Sequence, residues 1–464
     1  MIKKMIKVKD EKDQINIAKV YESRQEHIFR WWDELEGKEK RTLLDQLNQI
    51  DFQLLNQLAK KHIVSGVDTK KISLLSPPSV IPYPAITEEQ KKREQEALKL
   101  GEHILESKKV AFFMSAGELA PGQEIPLGLL PIGPVSQKTL YEWHGEKIAA
   151  LSEKYRTGFP WIIMVSDHTE KETKTFFEKQ SYFGLSRAEI RFVKQKMLPL
   201  LNKRGKIILK NRSTLCFSTN GYGGAIGALQ STEILEELVG RGMEYLFYFQ
   251  VENPLVKIGD PLFLGYHVLE EAEVSTKVVP KKSVEEKVDI ASFVDGSLGI
   301  VNFEEVPEKE KHARTSEGNL TFFAGNASIH IFTISFLLQL FEEGFQLPYH
   351  KVQSTTPNLS GKGEDSDIKD IQAIQFETSI FDILYKAKKK ILVQASREEE
   401  FAPIMEEHGP FSLEKSREAL LKMFALWFSQ VGEEELCHLH DCLFEVTPKY
   451  ALDFETFRSK LAVK

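Results

Sequence analysis

The sequence predicts an α/β fold, a mixed and mostly parallel sheet flanked by helices. Three observations point there. Val110-Ala-Phe-Phe-Met114 and Trp161-Ile-Ile-Met-Val165 are short unbroken apolar runs, the pattern of strands buried on both faces. Stretches of helical character follow them, so strand and helix alternate as they do around a parallel sheet. The length, 464 residues, suits a large domain with appendages better than one small core. The expected organisation is an N-terminal helical region over 1–108, a central α/β domain over 109–404 and a short C-terminal helical and β region over 405–464.

Residues 9–61 read as helices. The clearest spans 38–61, where Leu43, Leu44, Leu47, Ile50, Leu54, Leu55 and Leu58 form one stripe at helical spacing. Prolines 77, 78, 82 and 84 mark an extended crossing. Thr87 followed by Gln90 is a capping-box pair that opens a charged helix over 88–107. After the strand at 110–114 comes a loop with Gly and Pro, then a helix over 137–155 that Ser136 is expected to cap. The strand at 161–165 leads into a helix over 169–180, and Leu246-Phe-Tyr-Phe-Gln-Val251 is a further strand. Near the C-terminus a helix over 412–430 carries an apolar stripe, including Leu420, Phe424 and Trp427, that should dock on something. Sheets of this kind bind ligands at the carboxyl ends of their strands, here the loops after Met114, Val165 and Val251.

Composition excludes several function classes. A formal net charge of −7 sets DNA or RNA aside as a main partner, and Lys194, Lys196 and the lysines of 386–390 read as solvated faces. Three cysteines make no disulfide framework and fit a reducing, cytoplasmic setting. The first residues lack the apolar core of a signal peptide, and no apolar run approaches the ~20 residues of a membrane span, so no membrane partner is expected. Cys437, His438, His440 and Cys442 invite a zinc reading. On a helix, however, they fall on two faces, Cys437 with His440 and His438 with Cys442, so a helix is disfavoured as a tetrahedral site. The 30 phenylalanines read more simply as core than as base-stacking surface.

Several segments carry a wider likeness. They are Ile132-Gly-Pro-Val-Ser-Gln-Lys-Thr-Leu140, the strand at 161–165 with Tyr182-Phe-Gly-Leu185, Met197-Leu-Pro199, Gly223-Gly224, Val251-Glu-Asn-Pro-Leu-Val-Lys257, Ala324-Gly-Asn326 with His330, Arg397-Glu-Glu-Glu-Phe-Ala-Pro403 and Glu445-Val-Thr-Pro448. Together they resemble the eukaryotic-type UDP-sugar pyrophosphorylases, most of all the UDP-N-acetylhexosamine pyrophosphorylase branch, over roughly 110–450. The resemblance implies a Rossmann-like central domain. It implies a uridylyltransferase that joins UTP and a sugar 1-phosphate (glucose 1-phosphate or N-acetylglucosamine 1-phosphate) into a UDP-sugar, releasing pyrophosphate, with Mg²⁺. The nucleotide residues it carries over are Ala116, Gly117, Gly223, Gly224 and Asn253. Asn326 and His330 fall to the sugar and phosphate, and Glu252 to the metal. Gly223-Gly224 also reads as a plain turn, Glu252-Asn253 as a loop-capping pair and His330 as a core histidine.

The loop Ser115 to Gly128 departs from the family pattern. It has no Arg, and Leu127 stands at the expected Lys, so no catalytic cation is intact there. Glu118 and Glu124 bring negative charge, while Pro121 and Pro126 have no N–H to offer a phosphate. Tyr222, Asn302, Phe323 and Gln375 replace further expected residues. Lys138 or Lys257 would then have to supply the positive charge. The alternative reading is a catalytically inactive relative that binds or regulates.

Overall fold

The structure is a computed structural model that describes residues 5–65, 74–432 and 444–462. The Cys437–Cys442 segment lies outside the described residues. In chain order the strands are β1 (Leu75–Ser76), β2 (Val110–Ser115), β3 (Trp161–Val165), β4 (Ile190–Lys194), β5 (Met197–Pro199), β6 (Phe217–Thr219), β7 (Tyr245–Gln250), β8 (Val274–Pro280), β9 (Ile290–Val294), β10 (Ser297–Val301), β11 (Ala324–Thr333), β12 (Tyr349–Leu359), β13 (Ile368–Thr378) and β14 (Lys390–Gln394). The helices are α1 (Glu11–Glu22), α2 (Gly37–Leu47), α3 (Phe52–Ala59), α4 (Glu88–Glu106), α5 (Leu140–Lys154), α6 (Glu170–Lys179), α7 (Gly224–Gln230), α8 (Ile234–Gly240), α9 (Pro261–Leu269), α10 (Glu308–Lys311), α11 (Ile334–Glu342), α12 (Arg397–Glu400), α13 (Leu413–Gln430) and α14 (Phe454–Ala462).

The chain forms two compact units. One gathers Met1–Lys71, Lys196–Gly224 and Leu347–Ile380; the other gathers Ile72–Gln195, Ala225–Gln346 and Phe381–Lys464. The stretch 1–108 is thus divided, with 72–108 joining the strands that follow it.

In the first unit, α1 to α3 bury Ile17, Leu43, Leu47 and Leu55 against Leu201, Leu215 and Phe376. The long helix expected over 38–61 is broken. Asp51 accepts the Leu54 N–H at 3.0 Å and starts α3 afresh, the work of an N-cap residue. The hairpin of β12 and β13 pairs Tyr349 with Thr378 through to Leu359 with Ile368.

The second unit holds the expected α/β sheet. Its order is β1-β9-β11-β7-β2-β3-β4, with β10 on β9, and β8 between β11 and β14. The β7-β2-β3-β4 centre is parallel, and β14 runs parallel to β8. The β11 side is antiparallel. Every residue of β2 and β3 is buried, as their unbroken apolar runs require.

Thr87 and Gln90 form the predicted capping box of α4. That helix packs on α9 at glycines: a Cβ on Gly101 would stand 1.7 Å from the Pro261 carbonyl oxygen, and one on Gly265 1.6 Å from that of Ala97. The next helix starts later than expected. Residues 132–138 close a turn in which the Ile132 and Gly133 N–H groups both donate to the Lys138 carbonyl. Thr139 with Glu142, not Ser136, therefore caps α5. The stripe of α13 docks as predicted: Leu420, Phe424 and Trp427 join the main core, and the Phe424 ring lies 6.5 Å from that of Trp143 on α5.

Candidate functional site

Parallel pairing puts the carboxyl ends of β2, β3, β4 and β7 on one edge of the sheet. Because β11 runs against both β7 and β8, its first residues reach the same edge, as do the ends of β8 and β14. The candidate site is built on this edge.

At its β2 side, Ala116 extends the ladder by donating to the Met164 carbonyl at 3.0 Å. Gly117 follows, fixed by the Ser166 hydroxyl, which donates to its carbonyl at 2.7 Å. A Cβ on Gly117 would stand 2.1 Å from Gln195 Nε2. Gln195, just past β4, is 1% exposed, and neither its amide oxygen nor its amide nitrogen has a hydrogen-bond partner. A buried amide with a free acceptor beside a free donor is unusual, because such groups are nearly always paired. It suits a planar ligand with a donor and an acceptor side by side. A lone glutamine in one sequence carries no motif, so this residue was missed among the nucleotide candidates.

The rest of the loop folds on itself. Leu127 N donates to the Glu118 carbonyl and Ala120 N to that of Ile125. Leu127 is buried in the core, and Gly128 lies under the Tyr141 ring. The position where the family pattern expects a lysine thus faces inward. Glu124 is exposed, whereas Glu118 is half-buried. Burial raises the Tyr248 phenol on β7 out of its usual range; Gln250 and Ser115 oppose this, and the carboxylates of Glu252 and Glu118 add to it.

The loop after β7 is held from two sides. On α5, Lys147 Nζ donates to the carbonyls of Pro254 (2.6 Å) and Val256 (2.7 Å), and His144 Nε2 to that of Val251 (2.9 Å). Desolvation lowers Lys147 to about 7. Asn253 Nδ2 donates to the Glu400 carbonyl at 2.7 Å, and its Oδ1 accepts from Leu255 N and Ala402 N, so the amide holds the loop. Beneath it, fully buried Lys277 joins Asp260 (2.6 Å) and Glu400. Burial alone would raise the Asp260 carboxyl, but Lys277 and Lys257 outweigh it and hold it low.

At the β11 side, the strand bulges between Asn326 and His330. Asn326 Oδ1 accepts from Ser328 N at 3.1 Å, and Ser328 takes a left-handed φ of 57°. His330 is a core residue. Its Nδ1 lies 2.9 Å from the Thr276 hydroxyl, its ring sits among Tyr248, Phe332 and Phe381, and burial lowers it to about 3. Burial thus favours the neutral ring, and its Nε2 has no hydrogen-bond partner.

Gly223 and Gly224 belong to the other unit. Gly223 N donates to the Thr378 carbonyl at 2.8 Å, and a Cβ on it would stand 2.4 Å from Thr378 Oγ1, so packing on β13 already demands glycine there. Gly224 opens α7. Neither expected replacement cation is free: Lys138 pairs with Glu146, and Lys257 lies 3.6 Å from Asp260. Among the described residues no three His, Cys, Asp or Glu side chains gather to hold a metal, and no helix is long and apolar enough to cross a membrane.

A sheet with a parallel centre, a glycine loop after its first central strand and unpaired polar groups at the carboxyl edge defines an α/β protein of the nucleotide-binding kind. The comparison with known sequences makes it specific. The chain belongs to the UTP–glucose-1-phosphate uridylyltransferase family, whose sequence model matches residues 44–459. It is 33% identical to UDP-N-acetylhexosamine pyrophosphorylase-like protein 1 of Xenopus tropicalis over 82% of this chain and 78% of that one. It is 30% identical to UDP-N-acetylglucosamine diphosphorylase 2 of Arabidopsis thaliana over 88% of this chain and 83% of that one. Its fold matches the crystal structure of the uridine diphosphate N-acetylglucosamine pyrophosphorylase from Trypanosoma brucei with a TM-score of 0.80 at 22% identity, covering 98% and 96% of the two chains. Nucleotidyltransferases of this type generally work with a divalent metal.

Proposed function

We propose that this chain transfers uridylyl from UTP to a sugar 1-phosphate, with N-acetylglucosamine 1-phosphate the first candidate, and releases pyrophosphate. Its relatives' names support the substrate class. The observation that carries the reading is the unpartnered Gln195 amide against Gly117 at the carboxyl edge. Gln195 presents a donor and an acceptor to the edge of the uracil, and Ala116 and Gly117 let the nucleotide approach the backbone. Asn326, at the bulge of β11, faces the sugar side. In the reaction an oxygen of the sugar phosphate attacks the α-phosphorus of UTP, and the bond to pyrophosphate breaks. The chain's part is to hold the two phosphates in line and keep water out.

Mg²⁺ fits the residues present. It is commonly held by one or two carboxylates together with substrate phosphates, and Glu252, just past β7, and Glu118, in the loop after β2, are the carboxylates that would hold it. When bound, the ion neutralises charge on the phosphate oxygens. On this reading the acidic loop recruits a metal instead of repelling UTP. Low cysteine content supports a cytoplasmic setting.

The test is to incubate the protein with UTP, MgCl₂ and a panel of sugar 1-phosphates and to follow pyrophosphate. Release well above buffer with N-acetylglucosamine 1-phosphate is expected. No release with any sugar, and no thermal shift with UTP or a UDP-sugar, would overturn the reading.

A further inference from the structure

The proposed transfer needs positive charge near the phosphates, and the loop after β2 supplies none. Most cations on the carboxyl edge are already engaged. Lys147 donates to two carbonyls, Lys277 is held by Asp260 and Glu400, Lys257 faces Asp260, and Arg397 pairs with Glu286.

Lys281 is different. It follows Pro280 at the end of β8, beside the first residues of β11. Its stem runs over Gly325, where a Cβ would stand 3.4 Å from Lys281 Cγ. Its ammonium lies 4.7 Å from the centre of the Phe303 ring, and the Lys311 ammonium, which also pairs with Glu308 at 2.8 Å, lies 4.5 Å from the same ring. Lys281 is half-buried, yet its side chain makes no hydrogen bond or ion pair with another described residue. The carboxylates in range are Glu285, Glu286 and Asp289. Glu286 is taken by Arg397 and by Lys282 N, and Asp289 accepts the Phe303 N–H at 3.0 Å. Burial lowers the Lys281 ammonium and the neighbouring Lys311 adds to this, while Glu286, Asp289 and Glu285 oppose it without outweighing the burial. Two cations brought to one ring, one of them desolvated without a partner, make a place where an anion gains what the protein leaves unsatisfied.

We propose that Lys281 is a phosphate-binding residue: its ammonium, placed by Phe303 and backed by Lys311, takes the phosphate of the sugar 1-phosphate beside Asn326. The naming of the ester rests on the uridylyltransferase reading; the anion site itself does not. Topology assigns the phosphate to the sugar substrate, because Gly117 and Gln195 lie toward β2 to β4, whereas Lys281 and Asn326 lie at β8 and β11.

Calorimetric titration of the full chain with N-acetylglucosamine 1-phosphate, with and without UMP, tests it. Lys281→Met should weaken binding about tenfold or more, the loss of one charge-assisted hydrogen bond. Lys281→Arg should retain most of the affinity, and Lys311→Met should lose about two- to threefold. Inorganic phosphate should compete in the wild type and not in Lys281→Met, while UDP affinity and the melting temperature stay unchanged in all three variants. Equal affinity of Lys281→Met and wild type for the sugar phosphate would overturn the site, as would a wild type that binds no phosphate ester. Binding that depends on Lys281, without pyrophosphate release from any sugar, would remove the uridylyltransferase reading and leave the site standing. Turnover with an unchanged KM for the sugar phosphate in Lys281→Met would do the reverse.

Discussion

A side chain at Gly117 would meet the unpartnered amide of Gln195. A methyl there would stand 2.1 Å from Gln195 Nε2, so the buried amide would have to swing aside. Gly117→Ala is therefore expected to raise the KM for UTP about tenfold or more, with a stability loss of about 1 to 3 kcal/mol from the overpacked edge. Steady-state kinetics in UTP with a parallel urea melt reads both; an unchanged KM for UTP would count against Gln195 as the base-reading group. At this scale the sequence was informative about place and less so about role. Gly117 and Glu252 lie in the loops expected after Met114 and Val251, and Asn326 reaches the same edge near the start of β11. Asn253 and His330 fall there as well, but the first is bonded to backbone and the second is enclosed by aromatic rings. Whether a polar side chain faces a ligand or its own backbone depends on segments far along the chain, Glu400 and Ala402 for Asn253, and no local pattern encodes that. Gln195 stayed hidden for the same reason: only folding brings it over Gly117.

Among the elements, α4 and α9 meet closely at glycines. A Cβ on Gly265 meets a backbone oxygen at 1.6 Å, which no rotamer change relieves. Gly265→Ala should force the helices apart and cost about 3 kcal/mol or more. Gly227→Ala in α7, where nothing lies within 4 Å of the added carbon, should be neutral or stabilising by up to about 1 kcal/mol. Urea unfolding of the two variants makes the comparison, and equal midpoints would refute the packing argument. The capping box of α4 was legible, because Thr87 and Gln90 are neighbours in sequence. The partner of α4 was not, since Gly101 and Gly265 are matched only in space. The helix break before α3 had a signal in Asp51, but the leucine stripe runs across it and masked the restart. The hairpin of β12 and β13 left little trace, because most positions of β12 are polar or partly exposed and its alternation is weak.

For the molecule as a whole, His144, His267 and His330 are deeply buried histidines that respond to acid, and burial lowers His27 as well. Burial lowers His144, His267 and His330 each to about 3, so they stay neutral in the folded protein while the unfolded chain takes up protons below about pH 6.5. The unfolded state then binds more protons, and stability falls as pH drops from 6.5 toward 3, by up to roughly 1.4 kcal/mol per pH unit for each histidine. Asp289, raised to about 6 chiefly by burial, acts in the opposite direction between about pH 6 and 4 and offsets one of the three. Melting temperatures from pH 7.5 down to 5 should therefore decline from about 6.5, above the range where carboxylates alone would act; a flat profile to pH 5 would contradict this. The division into two units has another consequence, and it concerns time. The first unit needs Met1–Lys71 and also Leu347–Ile380. On the ribosome its N-terminal helices must wait for a hairpin made roughly 300 residues later, on the order of 15 to 60 seconds at ordinary synthesis rates. During that interval the leucine face of α2 and α3 has no β13 to cover it, which makes this face the natural point for a chaperone to hold the nascent chain.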